Sequence, residues 1–293
     1  MTRYPAKSIL RRRRIQPLLA LLFISAAPLY AADWPMARYD ARRSGASPQV
    51  LADKLYVQWS RDYPPLTPAW PDQPKMQFDA AYNPVVAGHH LFLASSKHDW
   101  VKALDVKTGR ELWTFFADGP IRFAPVAWEN DLYVASDDGY LYCLNADDGG
   151  LLWKHRGGPS DRKILGNERL VSTWPARGAP VIEGGTIYYG ASIWPFMGIF
   201  IHALDARTGK VIWSNDGEGT NYIKQPHNTD SFATVSPQGH FAIAGDRLLV
   251  PGGRSIPALF DRLTGKLVRY QLAENGKRGG GSEVSAARGY FFN

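Results

Sequence analysis

An all-β fold made of repeated four-stranded units is what the 293-residue sequence predicts, and three observations carry the prediction. A strand-turn-strand motif recurs along the chain: Ala103-Leu104-Asp105-Val106-Lys107-Thr108-Gly109-Arg110-Glu111-Leu112-Trp113, then 143–153, then Ala203 to Trp213, and in weaker form 259–268, where Arg269 stands in place of the tryptophan. Each copy follows another apolar-turn-apolar hairpin, so every repeat of about 40 residues offers four short strands. The composition agrees: 45% hydrophobic, 28 Gly, 21 Pro, and 10 Trp, 14 Tyr and 13 Phe describe a turn-rich folded chain and exclude disorder, collagen and a coiled coil. A single all-β architecture can span this length.

Taken in order, residues 1–31 hold six basic groups (Arg3, Lys7, Arg11, Arg12, Arg13, Arg14), a short apolar run at 17–24 and the small-residue stretch 25–32. That is the plan of a secretory signal, with cleavage after Ala31 or Ala32, and the run is too short to span a membrane. The same six groups explain the net charge of +7: removing them from 34 basic residues leaves 28 against 27 acidic ones, or +1. A nucleic-acid-binding surface thereby loses its electrostatic support. The one cysteine, Cys143, lies among strand residues and reads as a buried small hydrophobe, which excludes an internal disulfide, a haem-attachment pair and a cysteine zinc site. No cysteine lies near the cleavage site to carry a lipid anchor.

Residues 32–83 form a leader whose segment 55–59, Leu-Tyr-Val-Gln-Trp, has the pattern of a fourth strand without the earlier strands of its own sheet, so it is predicted to be a ring-closing strand with Trp59 in a docking position. The Pro-rich stretch 63–71 is a semi-rigid spacer. The first hairpins of the repeats fall at 84–93, 125–134, 180–189 and 242–250. In the second hairpins the Asp or Asn side chain can bond the turn backbone, and Gly109, Gly149, Gly209 and Gly265 supply the left-handed conformation that closes it. One such sheet cannot cover both of its faces, so the units must pack radially as blades around an axis. The chain then divides into blades 84–124, 125–179, 180–240 and 241–282, with 283–293 matching the first two strands of a fifth. The expectation is a β-propeller present in part.

The Ala-Leu-Asp-x-x-Thr-Gly-x-x-x-Trp pattern resembles the pyrroloquinoline quinone (PQQ) repeat of the quinoprotein dehydrogenases and of the outer-membrane barrel-assembly scaffold propeller. The resemblance covers residues 55–293, and residues 33–45 (Asp-Trp-Pro-Met-Ala-Arg-Tyr-Asp through Arg43-Ser44-Gly45) look like the opening segment of exported members of that group. It implies a ring of about eight blades. It also implies that Trp59, Trp113, Trp153 and Trp213 dock blade on blade, with Asp105, Asp205 and Asp261 shaping the turns.

Blade starts at 84, 125, 180, 241 and 283 are spaced 41, 55, 61 and 42 residues apart, so two blades carry insertions. In a four-stranded meander the first-to-second and third-to-fourth turns lie on one side, and these are short; the long connections 154–178, 190–200 and 214–240 all fall on the other. Binding loops on a rigid scaffold concentrate in this way. The candidate ligand-binding residues on that side are Arg162, Lys163, Asn167, Arg169, Trp174, Arg177, Trp194, His227 and Arg254, which together would suit a planar anion held by guanidinium forks and stacked on an indole. The other reading of the same residues is solvated loop cations and loop-fastening contacts. His89-His90, on the short-turn side, reads as solvent-facing; Asp137-Asp138-Gly139 and Asp147-Asp148-Gly149 read as hairpin turns rather than calcium loops; and no metal-ligand set is assigned.

Two functions follow. One is an exported binding or scaffold module whose partner is a small anionic ligand or a protein. The other is a PQQ- and calcium-dependent alcohol or sugar oxidoreductase. The resemblance implies for such enzymes an adjacent-cysteine disulfide, a calcium held by carboxylate and amide ligands, and an aspartate base. The single cysteine departs from the first, and no position here matches the others, so the binding module is the preferred reading.

Overall fold

The computed structural model describes residues 33–66, 72, 81–166, 169–219, 222–224, 228–232, 234–253, 255–272 and 281–293. They belong to one compact unit, Ala32–Asn293; residues 1–31, with the signal segment read above, lie outside them. Sheet 1 is β1 (Val85–Ala87), β2 (His90–Ser95), β3 (Trp100–Asp105) and β4 (Glu111–Phe116), hydrogen-bonded in that order. Sheet 2 is β5 (Val126–Trp128), β6 (Asp131–Ala135), β7 (Tyr140–Asn145) and β8 (Leu151–Arg156). A hairpin, β9 (Lys163–Gly166) and β10 (Arg169–Ser172), precedes sheet 3, which is β11 (Gly178–Glu183), β12 (Thr186–Ala191), β13 (Phe200–Asp205) and β14 (Val211–Asn215). A second hairpin, β15 (Tyr222–Lys224) and β16 (Asp230–Phe232), leads to β17 (Gly239–His240), which adds to β11 in parallel. Sheet 4 is β18 (Ala242–Ala244), β19 (Arg247–Val250), β20 (Ser255–Asp261) and β21 (Leu267–Leu272), and β22 (Ser285–Ala287) with β23 (Tyr290–Phe292) begins a fifth. The only helical turn among the described residues is the 3-10 segment Pro195–Met197.

The four predicted meanders are therefore present, and β1, β5, β11, β18 and β22 stand side by side as the inner strands of a propeller. Sequence reading passed over the two hairpins in the insertions and the parallel β17. For the first there was a signal: the apolar pairs Ile164-Leu165 and Leu170-Val171 stand on either side of the polar stretch 166–169.

Why the motif makes a blade is visible at its turn. Asp105 Oδ1 accepts from the Thr108 amide (2.8 Å) and hydroxyl (2.7 Å), while the Gly109 amide reaches the Asp105 carbonyl (2.8 Å) at φ +67°. Asp205 and Asp261 repeat the arrangement with Thr208 and Thr264. The threonine hydroxyl and the turn amides hold these three carboxyls below their usual pKa. Each tryptophan then lies on the glycine of the following blade. Trp59, Trp113, Trp153 and Trp213 donate Nε1 to the carbonyls of Val106, Ala146, Ala206 and Arg262, at 2.9, 2.9, 3.2 and 2.9 Å. A Cβ on Gly109, Gly149 or Gly209 would stand 2.6, 2.6 or 2.7 Å from an indole carbon, so the slot demands glycine for space as well as for φ.

Two expectations need adjusting here. Residues 55–59 deliver Trp59 to its slot, but they pair with no strand among the described residues. The ladder that would make this segment a strand is absent there, and side chains anchor it to the blade 1 turn instead: the Trp59 indole, Gln58 Nε2 on the Lys107 carbonyl (2.9 Å) and, just beyond, Arg61 on the Gly109 carbonyl (2.7 Å). His90 is not solvent-facing: it is buried, stacked on Phe92, because β2 turns it toward the neighbouring blade. Cys143 is fully buried, and that burial raises its thiol pKa to about 12, consistent with an inert core residue.

Candidate functional site

The inner strands surround an axis, and the opening segment of the described chain fills it from the short-turn side. Asp33 accepts from the Gly88 amide (2.8 Å), Trp34 forms a bridge with Val86, and the carbonyls of Pro35, Ala41 and Arg42 accept from Ala127, Ile243 and Ala286 at 2.7, 2.7 and 2.8 Å. These amides belong to β5, β18 and β22. Arg43 completes the plug: it is fully buried and donates to the carbonyls of Phe241 (2.8 Å), Ala37 (2.9 Å) and Pro180 (2.8 Å). Burial lowers its pKa to about 10, with partial opposition from Glu283 and Asp40, so it stays charged at neutral pH. A guanidinium with three carbonyl acceptors is satisfied without a carboxylate. The sequence flagged this segment by resemblance only; nothing local announces that Arg43 spans two blades.

The opposite side carries the long connections, because antiparallel succession places the β2–β3, β6–β7, β12–β13 and β19–β20 turns and every blade-to-blade link there. Its centre is an ionic cluster on Asp137, in the β6–β7 turn. Asp137 is 2% exposed and accepts from Arg122 Nε (2.6 Å) and, bidentately, from Arg177 Nε (2.7 Å) and Nη2 (2.8 Å). Burial alone would raise its pKa; Arg177 and then Arg122 more than offset it, and the carboxyl stays below its usual range. Its neighbour Asp138 is pushed the other way by burial, although Tyr142 Oη donates to it at 2.6 Å. The sequence showed these two residues as a turn and gave no sign of their partners, which lie 15 and 40 residues from Asp137.

The predicted residues separate clearly. Arg177 belongs to the Asp137 cluster. Arg169 is paired with Asp99 and donates to the Ser96 carbonyl (2.8 Å), fastening the β9–β10 hairpin to blade 1. Trp174 is buried against Gly158 and donates Nε1 to the Met197 carbonyl (2.7 Å). Trp194 is half exposed beside Phe196, with ring centroids 6.1 Å apart. Arg162 and Lys163 face solvent. Asn167, His227 and Arg254 lie outside the described residues. Sequence reading missed His240, which is buried at the axis, edge-on to Phe123 (5.2 Å), with Nδ1 3.5 Å from Glu283 Oε1; desolvation lowers its pKa.

PQQ, the group the resemblance implies, needs guanidinium forks free to take carboxylates and an indole face open for stacking. Among the described residues Arg122 and Arg177 bond Asp137, Arg169 bonds Asp99, Arg43 is spent on backbone carbonyls, and Trp174 is packed under its own loop. These five residues therefore do not fit the group, whereas Arg162 and Trp194 stay exposed on their loops. Besides the exposed Arg162 and Lys163, the side presents large apolar side chains to solvent. Leu165 and Leu170 on the first hairpin, Trp194 and Phe196 at the 3-10 turn, and Tyr222 with Phe232 on the second hairpin are all exposed, Leu165 by 75% and Phe196 by 62%.

A radial stack of four-stranded meanders, docked tryptophan to glycine and closed at the axis by its own leader, defines a PQQ-like repeat propeller. A family model described as outer membrane protein assembly factor BamB matches residues 56–279, and the chain belongs to that family. It is 31% identical over 136 residues to the dehydrogenase subunit of the quinone alcohol dehydrogenase of Gluconacetobacter polyoxogenes, which covers 42% of this chain and 18% of that protein. It is 32% identical over 215 residues to the serine/threonine-protein kinase AfsK of Streptomyces coelicolor, covering 60% and 26%. In three dimensions it resembles the quinohemoprotein alcohol dehydrogenase of Comamonas testosteroni, with a TM-score of 0.58 at 16% identity over 83% of this chain and 41% of the other, a likeness of fold. The chain spans less than a third of the two curated relatives named here.

Proposed function

We propose that this chain is the binding part of an exported propeller, and that the side bearing the long connections docks a protein partner. Export rests on the signal-like residues 1–31; no helix among the described residues is long and apolar enough to cross a membrane. The observation that carries the docking is the display of large apolar side chains on projecting hairpins, a pattern that soluble surfaces bury when a partner is present. A small anion is less well supported, since the guanidiniums at the centre are internally compensated. The same compensation weighs against a quinone-dependent oxidoreductase, the activity named for one relative.

Site-specific photo-crosslinking in the producing cell tests the proposal on the full-length protein. A photoreactive residue at Leu165 or Phe196 should give a discrete crosslinked partner, whereas one at Leu263, exposed in the β20–β21 turn on the opposite side, should not. Equal crosslinking at all three contradicts it. So would saturable binding of PQQ and calcium accompanied by dye-linked alcohol oxidation.

A further inference from the structure

The four β3–β4-type turns share a leading Asp or Asn and a closing glycine, and blade 2 departs most, with Asn145 leading and Asp148 in place of threonine. The third position of the turn is Lys107 in blade 1, Arg207 in blade 3 and Leu263 in blade 4, but Asp147 in blade 2. What faces that turn also differs. The residue of the second strand paired with the turn's leading Asp or Asn is His90 in blade 1, against Asp131, Thr186 and Arg247 in the others. The acid of the blade 2 turn and the histidine of blade 1 thus meet across the boundary between the two blades, and His89 joins them.

We propose that His89, His90 and Asp147 form a surface site for a divalent transition-metal ion of the zinc class, clipping blade 1 to blade 2. One ligand atom from each residue lies within 4.8 Å of the other two, and His90 Nε2 stands 3.7 Å from Asp147 Oδ1. Bonds of about 2.0–2.1 Å around such an ion set neighbouring ligand atoms ~3.4 Å apart. The remaining closure falls to His89 and Asp147, both exposed, while buried His90 is the fixed point. Two supports make this more than proximity. Asn130 Nδ2 donates to Asp147 Oδ2 at 3.0 Å, which turns the other oxygen toward His90, the outer-shell orientation that metal-binding carboxylates use. Phe92 packs under the His90 ring (5.5 Å) and against Trp113 (5.9 Å), whose indole sits on the same turn as Asp147, so the site is braced by the docking contact. Imidazole nitrogen with one carboxylate and open positions suits zinc, nickel or copper rather than calcium.

The test is a zinc titration of the full chain against a chromogenic chelator, followed by a thermal melt with and without saturating zinc. One equivalent should bind, and the melting temperature should rise. His89→Ala and Asp147→Asn, both at exposed positions, should each weaken binding at least tenfold and abolish the rise without altering the zinc-free melt. Asn130→Ala should weaken binding about tenfold through orientation alone. Binding that survives both ligand substitutions, or no binding up to about a hundredfold excess of zinc over protein, overturns the proposal. The readout is independent of the partner-docking side, so either proposal can fail alone.

Discussion

Substituting Gly209 by alanine isolates the docking slot, because a second glycine of the same blade provides a matched comparison. Gly209 has φ +68° and Gly184 has φ +59°, so alanine at either is strained by about 1–2 kcal/mol of left-handed backbone. The surroundings differ. A Cβ on Gly184 meets nothing within 4 Å, whereas one on Gly209 stands 2.7 Å from Trp153 Cδ2 and 2.8 Å from Cε3. Rigid aromatic carbon cannot yield as a flexible chain end would, so the indole must lift and lose its contact with the Ala206 carbonyl, a further cost of ~1–3 kcal/mol by the usual scale of overpacking. Gly209→Ala should therefore destabilise by ~2–5 kcal/mol and Gly184→Ala by ~1–2 kcal/mol. Urea unfolding followed by tryptophan fluorescence reads the difference, with a red shift in the folded baseline for Gly209→Ala only. Equal losses in the two variants would refute blade docking through this slot.

Two further outcomes follow from buried charge. Asp137→Asn removes the charge that largely buried Arg122 and Arg177 both bond and should cost about 3–5 kcal/mol at pH 7 in the same urea assay; the loss should shrink at acid pH, because the native carboxylate's contribution exists above its unfolded value near 3.8 and fades as pH falls through its depressed folded value. His202, held by the Ser214 hydroxyl and the Gly157 carbonyl, has its pKa lowered by burial from 6.5 to about 4. The unfolded chain takes up this proton first, so stability should fall between pH 6.5 and 4 by ~3 kcal/mol at the lower end, and His202→Gln should flatten that slope, measured as urea midpoint against pH.

How much of this was legible depended on whether a feature is local. The Asp-x-x-Thr-Gly turn and the tryptophan four residues beyond its glycine are short-range patterns repeated several times, and both the blades and their docking slots could be read from them. The segregation of long connections to one side followed from strand alternation alone. The pairings across blades were not legible: Asp137 meets Arg177 at a separation of 40 residues, Arg169 meets Asp99 at 70, and Arg43 reaches Phe241 at 198. Ring curvature sets those meetings, and no periodicity in the chain encodes it. For the same reason Arg169 and Arg177 read as available cations until their carboxylates were in view, and His90 read as exposed until the neighbouring blade covered it.

Hydrogen exchange on the full-length protein, alone and bound to the partner captured by crosslinking, tests the central claim most directly. Slowed exchange in β9–β10, the Pro195–Met197 turn and β16, with unchanged rates in the turns at 106–109, 146–149 and 206–209, is the predicted result. Protection confined to those short turns, or spread evenly over both sides, would contradict it.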